Sequence, residues 1–86
     1  MENSKKYTVG MFGDSFDPLH FGHMQIIISA AAVCEKLYVV LSYSRNRDSI
    51  PMEIRYRWLY NSCKHLSHVK LLLSKTVFPQ RANVIL

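Results

Sequence analysis

The stretch GDSFDPLHFGH, from Gly13 to His23, lies between two apolar segments, YTVGMF (7–12) and MQIIISAAAV (24–33). It places two glycines, a proline, two acids and two histidines within eleven residues. Apolar segments of this kind usually belong to a core, so a polar stretch between them indicates a loop that joins two buried elements. The stretch therefore bears on both the fold and the place where a ligand would bind.

The segments around this loop alternate between strand and helix character. KYTVGMF (6–12) is short, rich in β-formers and ends at Gly13, which predicts a buried strand. GHMQIIISAAAVC (22–34) contains an alanine triplet and is apolar nearly all round, which predicts a helix largely covered by other structure. KLYVVLSYS (36–44) is apolar, β-branched and aromatic, and it predicts a second strand.

The second half of the chain repeats this alternation. PMEIRYRWLYNSCKHL (51–66) predicts a helix with Pro51 in its first turn and Ser49 as N-cap, with Arg55, Arg57 and Lys64 on its polar side. HVKLLLS (68–74) predicts a third strand. The apolar stripe expected to pack the second helix against the core consists of Ile54, Trp58, Leu59 and Cys63.

The resulting order, β-α-β-α-β, predicts an α/β fold with a Rossmann-like parallel sheet and right-handed crossovers. The chain has 86 residues, 49% of them hydrophobic, and predicts a single domain over residues 1–86. No apolar run reaches the length of a membrane span and MENSKKY does not resemble a signal peptide, so a soluble cytoplasmic protein is expected. Residues 75–86 fit neither a helix nor a clean strand and form an unassigned tail.

Charge and cysteine content restrict the kinds of ligand. A net charge of +5 suits an anionic partner such as nucleotide phosphate or nucleic acid, although the basic residues are scattered and most are expected at the surface. Nucleic-acid binding is not expected, because the aromatic–basic alternation of an RNA-binding sheet is missing. Cys34 and Cys63 lack metal-ligand spacing, which predicts buried, reduced thiols and no protein-bound metal.

The loop over 13–23 occupies the place where open parallel α/β sheets bind ligands, next to a helix N-terminus. Unpaired N–H groups and the helix dipole make such a terminus suitable for phosphate. His20 and His23 would project from the first turn and donate hydrogen bonds to phosphoryl oxygens. Gly13 allows a tight turn, and Gly22 lets a ligand or a neighbouring element approach. Spacing alone leaves a second interpretation open, namely that the two histidines are structural or solvated.

The loop closely resembles the signature G-G-[ST]-F-D-P-x-H-x-G-H of the nucleotidyltransferases named for their H-x-G-H box. Asp14 stands where a second glycine is common, and Phe21 occupies a variable position. The matching positions are Gly13, Ser15, Phe16, Asp17, Pro18, His20, Gly22 and His23. The resemblance implies an enzyme that transfers a nucleotidyl group to a phosphate-bearing acceptor, with release of pyrophosphate and no covalent intermediate.

Two further segments are similar to the nicotinamide-mononucleotide adenylyltransferase domain of bacterial bifunctional NAD-biosynthesis regulators. Arg47 and Asp48 correspond to an R-D pair that follows the second strand there, and RYRWL (55–59) corresponds to R-L-R-W-L. A structural interpretation of RYRWL, with Trp58 in the core and the arginines at the surface, has about the same weight as this resemblance. This resemblance, over roughly 7–73, favours AMP transfer from ATP to nicotinamide mononucleotide. Phosphopantetheine, choline phosphate and glycerol phosphate are alternative acceptors.

The resemblance also implies residue roles. His20 and His23 would be catalytic, contacting the triphosphate and stabilising the negative charge that grows on it. Arg47 would neutralise the acceptor phosphate, and Asp17 would brace the loop rather than bind a metal. Mg²⁺ would bridge phosphate oxygens, held chiefly by the nucleotide and water. The nucleotide-binding residues implied in this way are Gly13, Ser15, Phe16, His20, His23 and Arg47.

The resemblance fades from about Lys75, and a later family segment resembling I-S-[ST]-T-x-x-R, which grips the triphosphate, has no counterpart. The chain is therefore expected to be a truncated domain, the N-terminal half of the family's fold. In the family's strand order, 3-2-1-4-5, the first strand pairs with the fourth. Strand 6–12 would then be an exposed edge that favours homo-oligomers. A non-catalytic remnant that binds nucleotide weakly or not at all is the alternative to an enzyme.

Overall fold

The computed structural model describes residues 5–44, 48–75 and 82–85. Strands β1, β2 and β3 are parallel, and the sheet order is β3-β2-β1-β4. The predicted β-α-β-α-β order and the Rossmann-like parallel arrangement of its strands are confirmed. In chain order, the elements are β1 (Tyr7–Asp14), α1 (Phe21–Val33), β2 (Cys34–Ser42), α2 (Met52–Cys63), β3 (Val69–Ser74) and β4 (Ala82–Ile85).

The register of the parallel strands positions the loops that follow them. Asp14 lies opposite Leu41, and Ser42 lies opposite Ser74, so the three parallel strands end along one edge of the sheet. The loop after β1 and the segment that leads into α2 both start from that edge. Since the carboxyl ends of parallel strands are where open α/β sheets bind ligands, this edge is where a site is expected.

The core lies between one face of the sheet and both helices, whose inward residues belong to a single cluster. Close packing at its margin depends on Gly10 in β1, where a Cβ would lie 2.5 Å from Cys34 Sγ. Each fully buried large apolar side chain contributes about 1.5–3 kcal/mol of transfer free energy. The buried residues that join sheet and helices include Phe12, Leu37, Val39, Leu41, Val69, Ile27, Ala31, Leu59 and Cys63.

Only one side of α1 is buried, so the prediction that this helix is largely covered by other structure is wrong. Ile27 and Ala31 face the core, whereas Ile28 is 54% exposed and Phe21 is 74% exposed. A sheet covers only one face of a helix packed on it.

The buried face of α2 differs from the predicted stripe. Leu59 and Cys63 are buried as predicted, but Ile54 and Trp58 are more than a third exposed, and Arg55 is fully buried. Buried positions therefore recur every four residues from Arg55, which places them one above another on the same helix face.

The start of α2 also differs from the prediction. Pro51 is the N-cap and makes no side-chain cap hydrogen bond, and the helix begins at Met52. Ser49 is therefore not the N-cap. Its backbone N–H instead donates to a carboxylate of the loop after β1.

The expectation that strand 6–12 is an exposed edge is wrong. β4 pairs antiparallel with β1, with Gly10 opposite Ile85 and Gly13 opposite Ala82. The tail was expected to contain no clean strand, but residues 82–85 form one, because an open strand edge offers N–H and C=O groups to any extended segment that reaches it. The expected association of copies through the β1 edge therefore loses its structural basis.

Both cysteines are buried and free, as predicted. Burial raises the pKa of the Cys63 thiol above its ordinary value, since desolvation disfavours the thiolate. Within the described part of the chain, the helices are too short or too polar to cross a membrane.

Candidate functional site

The site is built on the loop between β1 and α1, and it starts later than the sequence predicts. β1 continues through Gly13 to Asp14, and Gly13 pairs with Val40 on one side and Ala82 on the other. None of the glycines in the described ranges has a positive φ. The predicted tight turn at Gly13 is therefore wrong, because the sheet continues past this residue.

Phe16 anchors the loop. It has a φ of 52°, and its side chain is fully buried. A residue other than glycine held in this region costs about 1–3 kcal/mol of strain, which burial of the phenyl ring offsets. The ring packs edge-on against Phe12, with centroids 5.7 Å apart, and against His23, with centroids 4.8 Å apart. Phe16 thus supports the His23 ring from the core side, and only its backbone is placed to meet a ligand.

Asp17 braces the loop against the segment before α2, in the role that the sequence predicts for it. Its carboxylate accepts hydrogen bonds from the backbone N–H of Ser49, at 2.8 Å, and of Ile50, at 3.0 Å. The peptide bond between Asp17 and Pro18 is cis. Each carboxylate oxygen of Asp17 accepts one of these amide hydrogen bonds. The carboxylate therefore fixes the geometry of the loop.

The two histidines cap the N-terminus of α1 reciprocally. His20 is the N-cap, and its Nδ1 accepts from the Gly22 N–H at 3.0 Å. The Nδ1 of His23 accepts from the His20 N–H at 3.1 Å, and the ring centroids lie 3.9 Å apart. A Cβ on Gly22 would lie 2.9 Å from His20 Cε1, so the glycine makes room for the capping ring. The neighbouring group that Gly22 admits is therefore the His20 imidazole.

These contacts determine where the neutral rings carry their protons. A backbone N–H can only donate, so Nδ1 accepts in both rings and the proton resides on Nε2. The Nε2–H of His23 lies 3.1 Å from Asp14 Oδ2, and the ring is buried. His20 is exposed, and no described residue hydrogen-bonds its Nε2. His20 therefore presents an N–H donor to solvent at a helix N-terminus.

A buried arginine of α2 connects the two loop segments at this edge of the sheet. Arg55 donates from Nε to the Ile50 carbonyl at 2.8 Å and from Nη1 to the Ser15 carbonyl at 2.7 Å. Its Nη2 forms an ion pair with Asp48. Arg55 therefore links the loop after β1 to the segment that follows β2, in addition to the hydrogen bonds that Asp17 makes between them.

Arg55 is the important residue whose role the sequence did not predict, because both arginines of the second helix were assigned to its polar side. A signal existed in its spacing. Arg55 lies four and eight residues before the buried Leu59 and Cys63, whereas Arg57 falls on the exposed face. Helical periodicity applied to the charged residues would have separated the two arginines.

The predicted site residues fall into two groups. Those of the first loop lie together at the end of β1 and the start of α1, which makes one continuous site. Arg47, predicted to neutralise an acceptor phosphate, lies outside the described residues. The residues brought together are Gly13, Ser15, Phe16, His20 and His23.

Fold and loop together define a Rossmann-like α/β domain with a histidine-capped helix N-terminus at the carboxyl edge of its sheet. The family model described as cytidylyltransferase-like matches residues 11–77, and the chain belongs to that family. The predicted membership of the nucleotidyltransferase superfamily is confirmed.

Similar proteins of known type agree with this membership. The phosphopantetheine adenylyltransferases of Streptococcus pneumoniae strain 70585 and of serotype 4 strain ATCC BAA-334 / TIGR4 are each 39% identical to the chain over 67 residues. These matches cover 77% of this chain and 41% of either relative, so the chain spans less than half the length of these curated relatives.

A solved structure supports the same fold. The crystal structure of NadR protein in complex with NAD and AMP-PNP matches with a TM-score of 0.72 and 25% sequence identity. The match covers 91% of this chain and 23% of that one. The likeness to NadR agrees with the second resemblance drawn from the sequence.

Proposed function

We propose that this chain forms the nucleotide-binding part of an adenylyltransferase site that transfers AMP from ATP to a phosphate-bearing acceptor. A phosphate oxygen of the acceptor attacks the α-phosphorus, the bond from that phosphorus to the bridging oxygen breaks, and pyrophosphate leaves. The observation that carries the proposal is the exposed Nε2–H of His20 at the N-terminus of α1.

This geometry suits the charge changes of the reaction. Negative charge develops on the phosphate oxygens during in-line displacement, and donors positioned in advance stabilise it without reorganisation. His20 supplies a hydrogen-bond donor, and the N-terminus of α1 adds the partial positive charge of its dipole. His23, held by Phe16, carries a second Nε2–H in the same helical turn, which faces Asp14 in the free protein. In this proposal the chain binds and orients the triphosphate, and no side chain becomes covalently attached.

Mg²⁺ accompanies ATP in this proposal. Within the described ranges, no group of three or more His, Cys, Asp or Glu side chains could hold a metal ion. In this proposal the ion would take its ligands from phosphate oxygens and water and neutralise their charge.

Nicotinamide mononucleotide is the first candidate acceptor. The structural likeness to NadR over 91% of the chain and the RYRWL segment of α2 support it. Phosphopantetheine is the second candidate, supported by the 39% identity to proteins named phosphopantetheine adenylyltransferase. Arg47 would meet the acceptor phosphate in either case.

The test is pyrophosphate release by the purified chain with ATP, Mg²⁺ and each acceptor in turn. In His20→Asn the amide oxygen still accepts at the N-cap, but the imidazole donor is lost. Release should fall by about 10²–10³-fold, the usual cost of one such donor. His65→Asn is the matched control, since His65 is exposed outside the site, and its rate should equal that of the wild type.

Circular dichroism and the thermal midpoint of each variant establish that it is folded. Absence of release with both acceptors, from folded wild-type protein, would overturn the proposal and favour a non-catalytic remnant. Release with only one acceptor would identify the substrate.

A further inference from the structure

The carboxylate of Asp14 takes two hydrogen-bond donors of the loop. Its Oδ1 accepts from the backbone N–H of Ser15 at 2.7 Å. Its Oδ2 lies 3.1 Å from His23 Nε2, and the two side chains are 15% and 9% exposed. One anionic group thus binds a backbone amide and an imidazole at the end of β1, an arrangement that also suits a phosphate group.

A neutral His23 imidazole has a single N–H group with which it can donate a hydrogen bond to a phosphate. Its Nδ1 accepts from the His20 N–H, so the proton on Nε2 is the one that it can offer. That proton is directed at Asp14. The Phe16 and His20 rings pack against the imidazole, which restricts any rotation that would present Nε2 elsewhere.

We propose that the Asp14 carboxylate is an internal anion that occupies a phosphate-binding position of the loop, and that a phosphate must displace it to reach His23. The identity of the phosphate ligand rests on the proposed function. Asp14 is in this view a positioning residue, which holds the His23 ring and its tautomer in the free protein and lowers the affinity of the site for anions.

The consequence follows from charge. A carboxylate and a phosphate compete for the same N–H groups, and at separations of about 4 Å they repel each other. Removal of the carboxylate charge removes both effects. Anion affinity should therefore rise when Asp14 becomes neutral, the opposite of what loss of a binding residue produces.

The test compares Asp14→Asn with the wild type and with Glu35→Gln, using calorimetric titration of tripolyphosphate. Glu35→Gln also removes one negative charge, from an exposed side chain near the amino end of β2, away from the loop. Asp14→Asn should bind tripolyphosphate at least about tenfold more tightly than either other protein. Equal or weaker binding by Asp14→Asn would overturn the inference.

A second measurement uses the wild type alone and does not depend on how well the variant folds. Long-range ¹⁵N–¹H correlation spectra should show His23 protonated at Nε2 in the free protein. Saturation with tripolyphosphate should shift both the Ser15 amide and the His23 Nε2 resonances, because Asp14 leaves both donors. An unchanged Ser15 amide at saturation would show that Asp14 is not displaced, against the inference.

The outcomes separate this inference from the proposed function. Tighter binding by Asp14→Asn without AMP transfer to either acceptor would support the inference and overturn the function. AMP transfer by the wild type, with no gain in affinity in Asp14→Asn, would do the reverse. Absence of tripolyphosphate binding in all three proteins would overturn both.

Discussion

The His20 side chain at the start of α1 caps the helix and keeps a nitrogen that can bind a ligand. N-caps are most often serine, threonine, aspartate or asparagine, short side chains whose oxygen accepts from N–H groups of the first helical turn. His20 caps through Nδ1 and keeps Nε2 for another partner. An imidazole, with two separate nitrogens, can therefore stabilise the helix and bind a ligand with the same side chain.

Gly22→Ala tests whether the capping ring needs the space that glycine leaves. At an open helical position this change stabilises a protein by about 0.5–1 kcal/mol. Here the new Cβ would lie 2.9 Å from the His20 ring and displace it from the cap. Urea denaturation should show no gain in the free energy of unfolding, and tripolyphosphate binding should weaken. A stabilisation of about 0.5–1 kcal/mol would contradict the capping geometry.

Arg55→Met tests the buried arginine. Arg55 is fully buried, and its loss removes the cation that pairs with Asp48 and the donor to the Ile50 and Ser15 carbonyls. Asp48 keeps its hydrogen bond from the Ser44 N–H. Breaking a buried pair from one side costs about 3–5 kcal/mol, and partial exposure of Asp48 places the expected loss near the lower figure. Denaturant unfolding measures it. Arg57→Met, two residues along on the exposed face, should change stability by less than about 0.5 kcal/mol.

Among the elements, α1 is held at its C-terminus by side chains from outside the helix. The Ala31 carbonyl lies 2.8 Å from His68 Nε2 and accepts from Lys5 Nζ at 3.1 Å. The last carbonyls of a helix have no partner within the helix, so such donors stabilise its end. α1 runs directly into β2 at Cys34 without a loop, so these contacts also position the start of that strand.

His68→Ala should lower the free energy of unfolding by about 0.5–1.5 kcal/mol, the usual net value of one hydrogen bond. The Lys5 contact remains, so the Ala31 carbonyl keeps one donor. His65→Ala provides the matched comparison, because His65 is exposed, and its stability should equal that of the wild type. Equal loss in both variants would show that His68 does not hold the helix end.

The burial of Cys63 at the C-terminal end of α2 predicts a pH dependence of stability. Its thiol pKa is raised in the folded protein, so the unfolded chain loses this proton at lower pH than the folded chain does. Stability is therefore retained below the ordinary thiol pKa and falls as the pH rises above it. The decrease in unfolding free energy between pH 7 and pH 10 should be smaller in Cys63→Ala than in the wild type. Equal decreases would argue against this effect.

For the molecule as a whole, β4 decides whether β1 has an open edge. The antiparallel pairing over Gly10–Gly13 encloses β1, the strand that leads into the loop before α1. An unpaired edge in that place would offer its backbone groups to other chains.

Val84→Pro should break this pairing, because proline has no N–H and disrupts a strand ladder. Amides within Gly10–Gly13 should exchange faster with solvent, and size-exclusion chromatography should show association of copies. Val84→Ala keeps the N–H and should retain the wild-type protection. Unchanged exchange in Val84→Pro would mean that β4 does not protect β1 in solution.

The order of strands, helices and the loop along the chain could be predicted from the sequence, because it depends on residues that are close together in the chain. Strand and helix alternation follows from β-branched runs and helical spacing, and the loop from its glycines, proline and histidines. The H-x-G-H box placed His20 and His23 at the start of a helix. β4 was not predicted. Its four residues are too few to show the alternation of a strand, and it forms by pairing with β1, which is distant in the sequence.

Contacts between distant residues had to come from the folded chain. Arg55 reaches the Ser15 carbonyl across 40 positions, and its burial depends on which face of α2 packs inward. Asp14 meets His23 because β1 extends past Gly13 and the loop returns to the same edge. Periodicity and propensity describe neighbours along a chain, whereas the geometry of this site arises from packing between elements, which brings remote groups within hydrogen-bonding distance.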